Sequence, residues 1–185
     1  MILKQMLDYA KFLLTQAIAA GDSVVDATCG NGNDTLFLAN LVGAEGKVYA
    51  FDIQDVAITE TTRLLAEHNI DCVQVIKDGH EVAHKYMESS IAAAIFNLGY
   101  LPKGDHSITT QSHTTITAVD HLLDYLKPNG IIVLVVYHGH SNGKLEKRAL
   151  RSFCQTLDQK SFSVLEYKFL NQKNNAPFII AIEKL

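Results

Sequence analysis

The chain has 185 residues, 48% of them hydrophobic and 19% charged, with 11 Gly and 3 Pro, which excludes the disordered, collagenous and low-complexity classes. That length buries roughly 70% of the extended surface and is read as one domain, 1–185, while a net charge of -4 confines any nucleic-acid site to a local patch. Cys29, Cys72 and Cys154 form no CxxC pair or disulfide framework, charges at Lys4, Asp8 and Lys11 interrupt any leader, and the longest apolar run, 131–137, is too short for a membrane span, so a cytoplasmic protein with no membrane association is expected.

Residues 3–20 carry apolar side chains at near-helical spacing and read as an amphipathic helix closed by Gly21. Short, continuous apolar runs follow at 23–28, 47–52, 72–77, 91–97 and 131–138. Runs of this kind suit strands buried on both faces. Helical patterning lies between them at 34–41, 56–68, 81–86 and 114–126, the last capped by Thr110 or Ser112, and a further helix is read over 143–157. The tail breaks the alternation. Runs 162–170 and 178–185 are joined by the polar stretch 171–177, with no room for a crossover helix, and predict an antiparallel hairpin. The expected fold is α/β: a Rossmann-like, doubly wound, seven-stranded sheet with a parallel core and a C-terminal antiparallel hairpin. That topology is similar to the class I S-adenosylmethionine-dependent methyltransferases.

The first strand runs into DATCGNGNDT, residues 26–35. Gly30 and Gly32 allow a tight turn and close approach of a ligand, and the helix that follows offers unpaired amides; Thr28, Asn31, Asn33 and Asp34 complete this candidate cofactor loop. A dinucleotide fingerprint would need a third glycine where Thr35 stands, which weakens a nicotinamide-dependent oxidoreductase reading. Asp26 suits the cationic methionine amine of S-adenosylmethionine instead. Asp52 ends the second strand where a carboxylate accepts ribose hydroxyls, with Ile53 and Gln54 beside it. Asp78, Gly79 and His80 follow the third strand, where Asp78 reads equally as an adenine contact and as a turn cap.

Asn97, Leu98, Gly99, Tyr100, Leu101 and Pro102 close the fourth strand at the sheet edge where open α/β folds bind ligands. The run resembles the Asn/Asp-Pro-Pro-aromatic motif of amino-group methyltransferases, with Leu98 and Gly99 in place of the prolines. There the Asn oxygen and a backbone carbonyl accept the protons of the target amine. Asn97 is the catalytic candidate and also a candidate cofactor contact. Lys103 continues the substrate loop, and Asp105 reads either as a group that attracts an ammonium and takes its proton or as a capped turn. Tyr137 and His138 wall the pocket. Lys144, Lys147, Arg148 and Arg151 fall at i, i+3, i+4 and i+7, a phosphate-contact stripe or a solvated helix face. The His138/His140 pair has no HExxH or cysteine-rich partner, so no metal is expected.

These segments resemble the bacterial family labelled rRNA methylases, associated with a tRNA wobble-uridine methyltransferase of the MnmM type. The most specific marks are DATCGNGNDT, NLGYLPKGDHSITT (97–110) and VVYHGHSNGKLEK (135–147). The resemblance implies S-adenosylmethionine as cofactor, the tRNA anticodon stem-loop as partner, and methylation of 5-aminomethyl-2-thiouridine to its methylaminomethyl form; a homodimer is allowed. An rRNA or another amine is the alternative substrate. A non-catalytic RNA-binding module is the rival of another kind.

Overall fold

The five apolar runs become the parallel strands of one sheet in the computed structural model, which describes residues 2–99, 101, 109–139 and 141–185. Tyr100, Pro102, Lys103, Asp105 and His140 lie outside the described residues. The strands are β1 (Ser23–Asp26), β2 (Lys47–Asp52), β3 (Val73–Lys77), β4 (Ile91–Leu98), β5 (Leu126–Val136), β6 (Phe162–Tyr167) and β7 (Phe178–Lys184). Their order is β3-β2-β1-β4-β5-β7-β6, with β7 antiparallel to both of its neighbours. This is the doubly wound sheet with a terminal hairpin that the sequence predicts. The order reverses between β1 and β4, so the crevice at their carboxyl ends is the place where such sheets take ligands.

The helices are α1 (Met6–Ala17), α2 (Asn33–Val42), α3 (Asp55–Glu67), α4 (Ser112–Tyr125) and α5 (Ser141–Thr156), with a 3-10 helix at His80–Tyr86. Successive strand residues point to opposite faces. Val24, Val48, Ile95 and Val133 therefore meet Met6, Ala10 and Leu14 of α1 and Leu38 and Val42 of α2. Val25, Phe51, Phe96 and Leu134 meet Val119 and Leu122 of α4 and Leu150 of α5. Each such side chain taken wholly out of water contributes about 1.5–3 kcal/mol.

Several boundaries depart from the sequence pattern, three of them with a visible cause. α1 ends at Ala17 and not at Ala20, because the Asp22 carboxylate accepts the Ala19 N–H at 2.7 Å and draws the chain out of the helix. Gln111 is the N-cap of α4, without a side-chain cap bond. Neither Thr110 nor Ser112 caps it, since the Thr110 hydroxyl donates to Glu146 at 2.8 Å. β5 starts at Leu126, ahead of the expected 131, with a register shift opposite Ile91 and Ala93. At Gly130 a Cβ would lie 2.8 Å from the Lys127 carbonyl and 2.9 Å from that of Ala92, so the irregularity requires glycine.

Candidate active site

A closed circuit of hydrogen bonds ties the glycine loop to the end of β4. Thr35 donates its hydroxyl to Asp26 at 2.6 Å, and the Thr28 N–H reaches the other Asp26 oxygen at 3.2 Å. The Thr28 hydroxyl accepts the Asn97 N–H at 2.8 Å, and Asn97 Nδ2 donates to Asp34 Oδ2 at 2.6 Å. Asp34 adjoins Thr35 in the first turn of α2, which closes the circuit. Asp26 has no exposed surface, and burial, with Asp34 nearby, pushes its carboxyl up to about 7. Gly32 sits at φ +82 with a built Cβ only 3.0 Å from Thr61 Cα, so loop and α3 pack backbone against backbone.

Two cavities open on either side of this circuit. The smaller, about 240 Å³, is lined by Thr28, Gly30, Asp52, Ile53, Gln54, Asp78, Gly79, His80 and Asn97 among others. The larger, about 710 Å³, is lined by Thr28, Gly30, Asn31, Asn33, Asp34, Asn97, Leu98, Gly99, Tyr137 and His138. Thr28, Gly30, Asn97, Gly99 and Leu101 belong to both and form the wall between them. Asp26 and Gly32 reach neither lining. The first holds the loop from beneath, and Asp34 is the loop carboxylate at the larger cavity.

In the smaller cavity, Asp52 at the tip of β2 accepts the Gly30 N–H at 3.1 Å and the Gln54 N–H at 3.0 Å, which fixes its carboxylate. Asp78 accepts from the Gly79 N–H and from the Tyr86 hydroxyl, both at 2.8 Å, so it works as a turn clasp while also lining the cavity. His80 lies 3.1 Å through Nδ1 from the Ala27 carbonyl. That contact assigns the proton to Nδ1 and leaves Nε2 as a buried lone pair without a partner. Burial also lowers the affinity of this imidazole for a second proton.

Around the larger cavity, burial and the neighbouring Asp34 raise the Tyr137 phenol. His138 directs Nε2 to the Ala176 carbonyl at 3.0 Å and stands against Phe178. Lys147 and Arg151 lie over the same Phe178 ring, 5.3 and 5.8 Å from its centroid. Arg151, though exposed, is paired with Glu166 of β6, so the basic stripe divides, and Lys144 and Arg148 are exposed on the same helix. Burial, then Lys168 and Arg151, lower Lys147. Among the described residues no group of three or more His, Cys, Asp and Glu is placed to hold a metal.

The sequence reading missed Leu7 and Lys11 of α1 and Asn175 of the β6–β7 connection, all on the larger cavity, and Thr109, Thr110, Gln111 and Thr114 on the smaller. Thr109 and Thr110 close the 97–110 motif without being singled out by it, and no motif marks the others. They arrive by tertiary packing. The sequence reading assigns no role to Glu146, which is wholly buried and accepts from Thr110 at 2.8 Å and Thr115 at 2.6 Å.

The strand order, the antiparallel β7, the two-glycine loop after β1 and the acidic tip of β2 together define a class I methyltransferase fold. The family model described as "Putative rRNA methylase" matches residues 48–183, and the chain belongs to this family. A Clostridium thermocellum structure described as a "putative rRNA-methylase" is 47% identical, with TM-score 0.97 and 99% of each chain covered. A "putative methyltransferase" from Streptococcus mutans, solved in complex with SAH, is 43% identical, with TM-score 0.92 and 99% of each chain covered. The chloroplastic tRNA (mnm(5)s(2)U34)-methyltransferase of Arabidopsis thaliana is 37% identical over 180 residues. That match covers 91% of this chain and 66% of the Arabidopsis protein, so the chain spans just under two thirds of that relative's length. Among the described residues no helix is long and apolar enough to cross a membrane.

Proposed function

We propose that the chain is an S-adenosylmethionine-dependent N-methyltransferase acting in the cytoplasm, converting 5-aminomethyl-2-thiouridine at the tRNA wobble position to 5-methylaminomethyl-2-thiouridine. The observation that carries this reading is the place of Asn97, on the wall shared by a nucleotide-sized cleft and a roomier cavity, with its amide nitrogen engaged by Asp34. The smaller cavity fits the cofactor: a preset carboxylate at Asp52 for ribose hydroxyls, an unpartnered buried acceptor at His80 Nε2 for an exocyclic amine, and a glycine loop for close approach. When bound, S-adenosylmethionine supplies an electrophilic sulfonium methyl.

The chain's own residues present the nucleophile. The Asn97 side-chain oxygen and the Leu98 carbonyl accept the N–H protons of a neutral primary amine and aim its lone pair through the shared wall. Tyr137, exposed on the larger cavity, offers a stacking face to an unpaired base, and anticodon-loop bases need little energy to enter such a pocket. Lys11, Lys144 and Arg148 supply local positive charge for phosphates on a net acidic protein. A dinucleotide reading is disfavoured, because Thr35 stands where a third glycine is needed and is buried on Asp26.

The test is transfer of labelled methyl from S-adenosylmethionine to tRNA from a strain lacking the modification, with nucleoside mass spectrometry of the product. Formation of the methylaminomethyl nucleoside is expected. Labelling of rRNA alone, or binding of NAD without methyl transfer, overturns the assignment.

A further inference from the structure

We propose that Asp34 is a positioning residue for methyl transfer, holding the Asn97 amide in the one orientation that can accept a proton from the substrate amine. The inference rests on the amine-methylating reading above and deepens it. A carboxylate only accepts hydrogen bonds, so the 2.6 Å contact obliges Asn97 to turn its NH2 toward Asp34. The oxygen is thereby left as the free end of an amide that lines both cavities. With the amide reversed, its NH2 would meet the amine's own N–H groups, donor against donor, and the lone pair would lose its guide.

Asp34 is itself held. It belongs to the first turn of α2, and the next residue, Thr35, is buried and bonded to Asp26. The Asn97 backbone has a separate anchor in the Thr28 hydroxyl at 2.8 Å. Loss of the Asp34 carboxylate therefore leaves the end of β4 in place and frees only rotation of the Asn97 amide. Asp34 lines the larger cavity and not the smaller one, which on the proposed reading is the acceptor's side.

The experiment measures single-turnover methyl transfer to unmethylated tRNA at saturating S-adenosylmethionine for wild type, Asp34→Ala, Asp34→Asn, Asn97→Ala and the Asp34→Ala/Asn97→Ala double variant. S-adenosylhomocysteine affinity is measured calorimetrically on each. Asp34→Ala is expected to lose about 10- to 100-fold in rate, the range of a charge-assisted hydrogen bond, with cofactor affinity changed by less than about threefold. Asp34→Asn keeps an acceptor oxygen and is expected to recover about tenfold over Asp34→Ala. The double variant is expected to be within about threefold of Asn97→Ala, because Asp34 acts only through Asn97. Losses that multiply in the double variant, no recovery in Asp34→Asn, or cofactor affinity falling in step with rate would each overturn the proposal. An inactive wild type overturns the functional reading itself, whereas an active wild type with multiplying losses overturns only the role of Asp34.

Discussion

Asp26 makes folding stability depend on pH in a direction opposite to that of an ordinary salt-bridged carboxylate. Its pKa is raised from 3.8 to about 7, first by complete burial and then by the nearby Asp34 charge. Between these values the folded chain keeps a proton that the unfolded chain releases. The native state therefore binds more protons, and stability falls as pH rises. The contribution is fully present below pH 3.8, is lost progressively up to about pH 7, and is level above that. At about 1.4 kcal/mol for each tenfold in proton affinity, the full difference is about 4 kcal/mol, of which about half falls between pH 5 and 7. The residue is wholly inaccessible to solvent, so screening by water does not reduce the figure. The assay is urea unfolding of wild type and Asp26→Asn from pH 5 to 8.5. The variant is neutral throughout and keeps an oxygen for one of the two donors, Thr28 N–H or the Thr35 hydroxyl. Titration of the histidines cancels in the comparison. Wild-type stability relative to Asp26→Asn should decline by a few kcal/mol between pH 5 and 7 and then run parallel. A constant offset across that interval would refute the reasoning, and so would a difference that grows in the wild type's favour.

Asn97→Ala should reduce single-turnover methyl transfer by about 100-fold while leaving S-adenosylhomocysteine affinity within a few-fold, the pattern of an interaction made at the reacting amine; calorimetry beside the rate assay checks it. Gly32→Ala forces a Cβ into a left-handed turn 3.0 Å from Thr61 Cα, and denaturant unfolding should show a loss of about 1–2 kcal/mol from backbone strain alone. Glu146→Ala strands the Thr110 and Thr115 hydroxyls under α5, with an expected cost of about 2–4 kcal/mol by the same measurement, and Glu146→Gln should recover part of it. Lys144→Ala and Arg148→Ala should each weaken tRNA binding and lower the slope of log affinity against log salt by about 0.7–0.9; an unchanged slope would mean that this helix face meets only solvent.

The centre of the sheet was legible because its inner strands are covered on both faces, which writes them as unbroken apolar runs such as 47–52 and 91–97. The acidic tip of β2 and the asparagine ending β4 were legible for a related reason: the carboxyl edge of a parallel sheet is fixed once its strands are fixed. The division of labour between Asp26 and Asp34 was not. Both acids flank one glycine turn, and only the path of α2 decides that the first lies beneath the loop and the second reaches Asn97, 63 positions along the chain. Leu7 and Lys11 escaped notice because α1 is remote in sequence from every motif and comes to the cavity by docking against β4, β5 and β7. Glu146 sits three places from the buried Gly143 and four from the buried Leu150, so its helix face belongs to the interior despite the lysines and arginines around it. Residue type alone pointed the other way.

The partition formed by Thr28, Gly30, Asn97, Gly99 and Leu101 is flanked by α4 on one side and by α1 on the other. On the proposed reading donor and acceptor approach from opposite flanks, and neither has to vacate before the other is exchanged. The corresponding kinetic signature is random-order addition: an acceptor analogue lacking the target amine is expected to inhibit competitively against the acceptor and non-competitively against the methyl donor, whereas uncompetitive inhibition against the donor would mean that the donor must bind first.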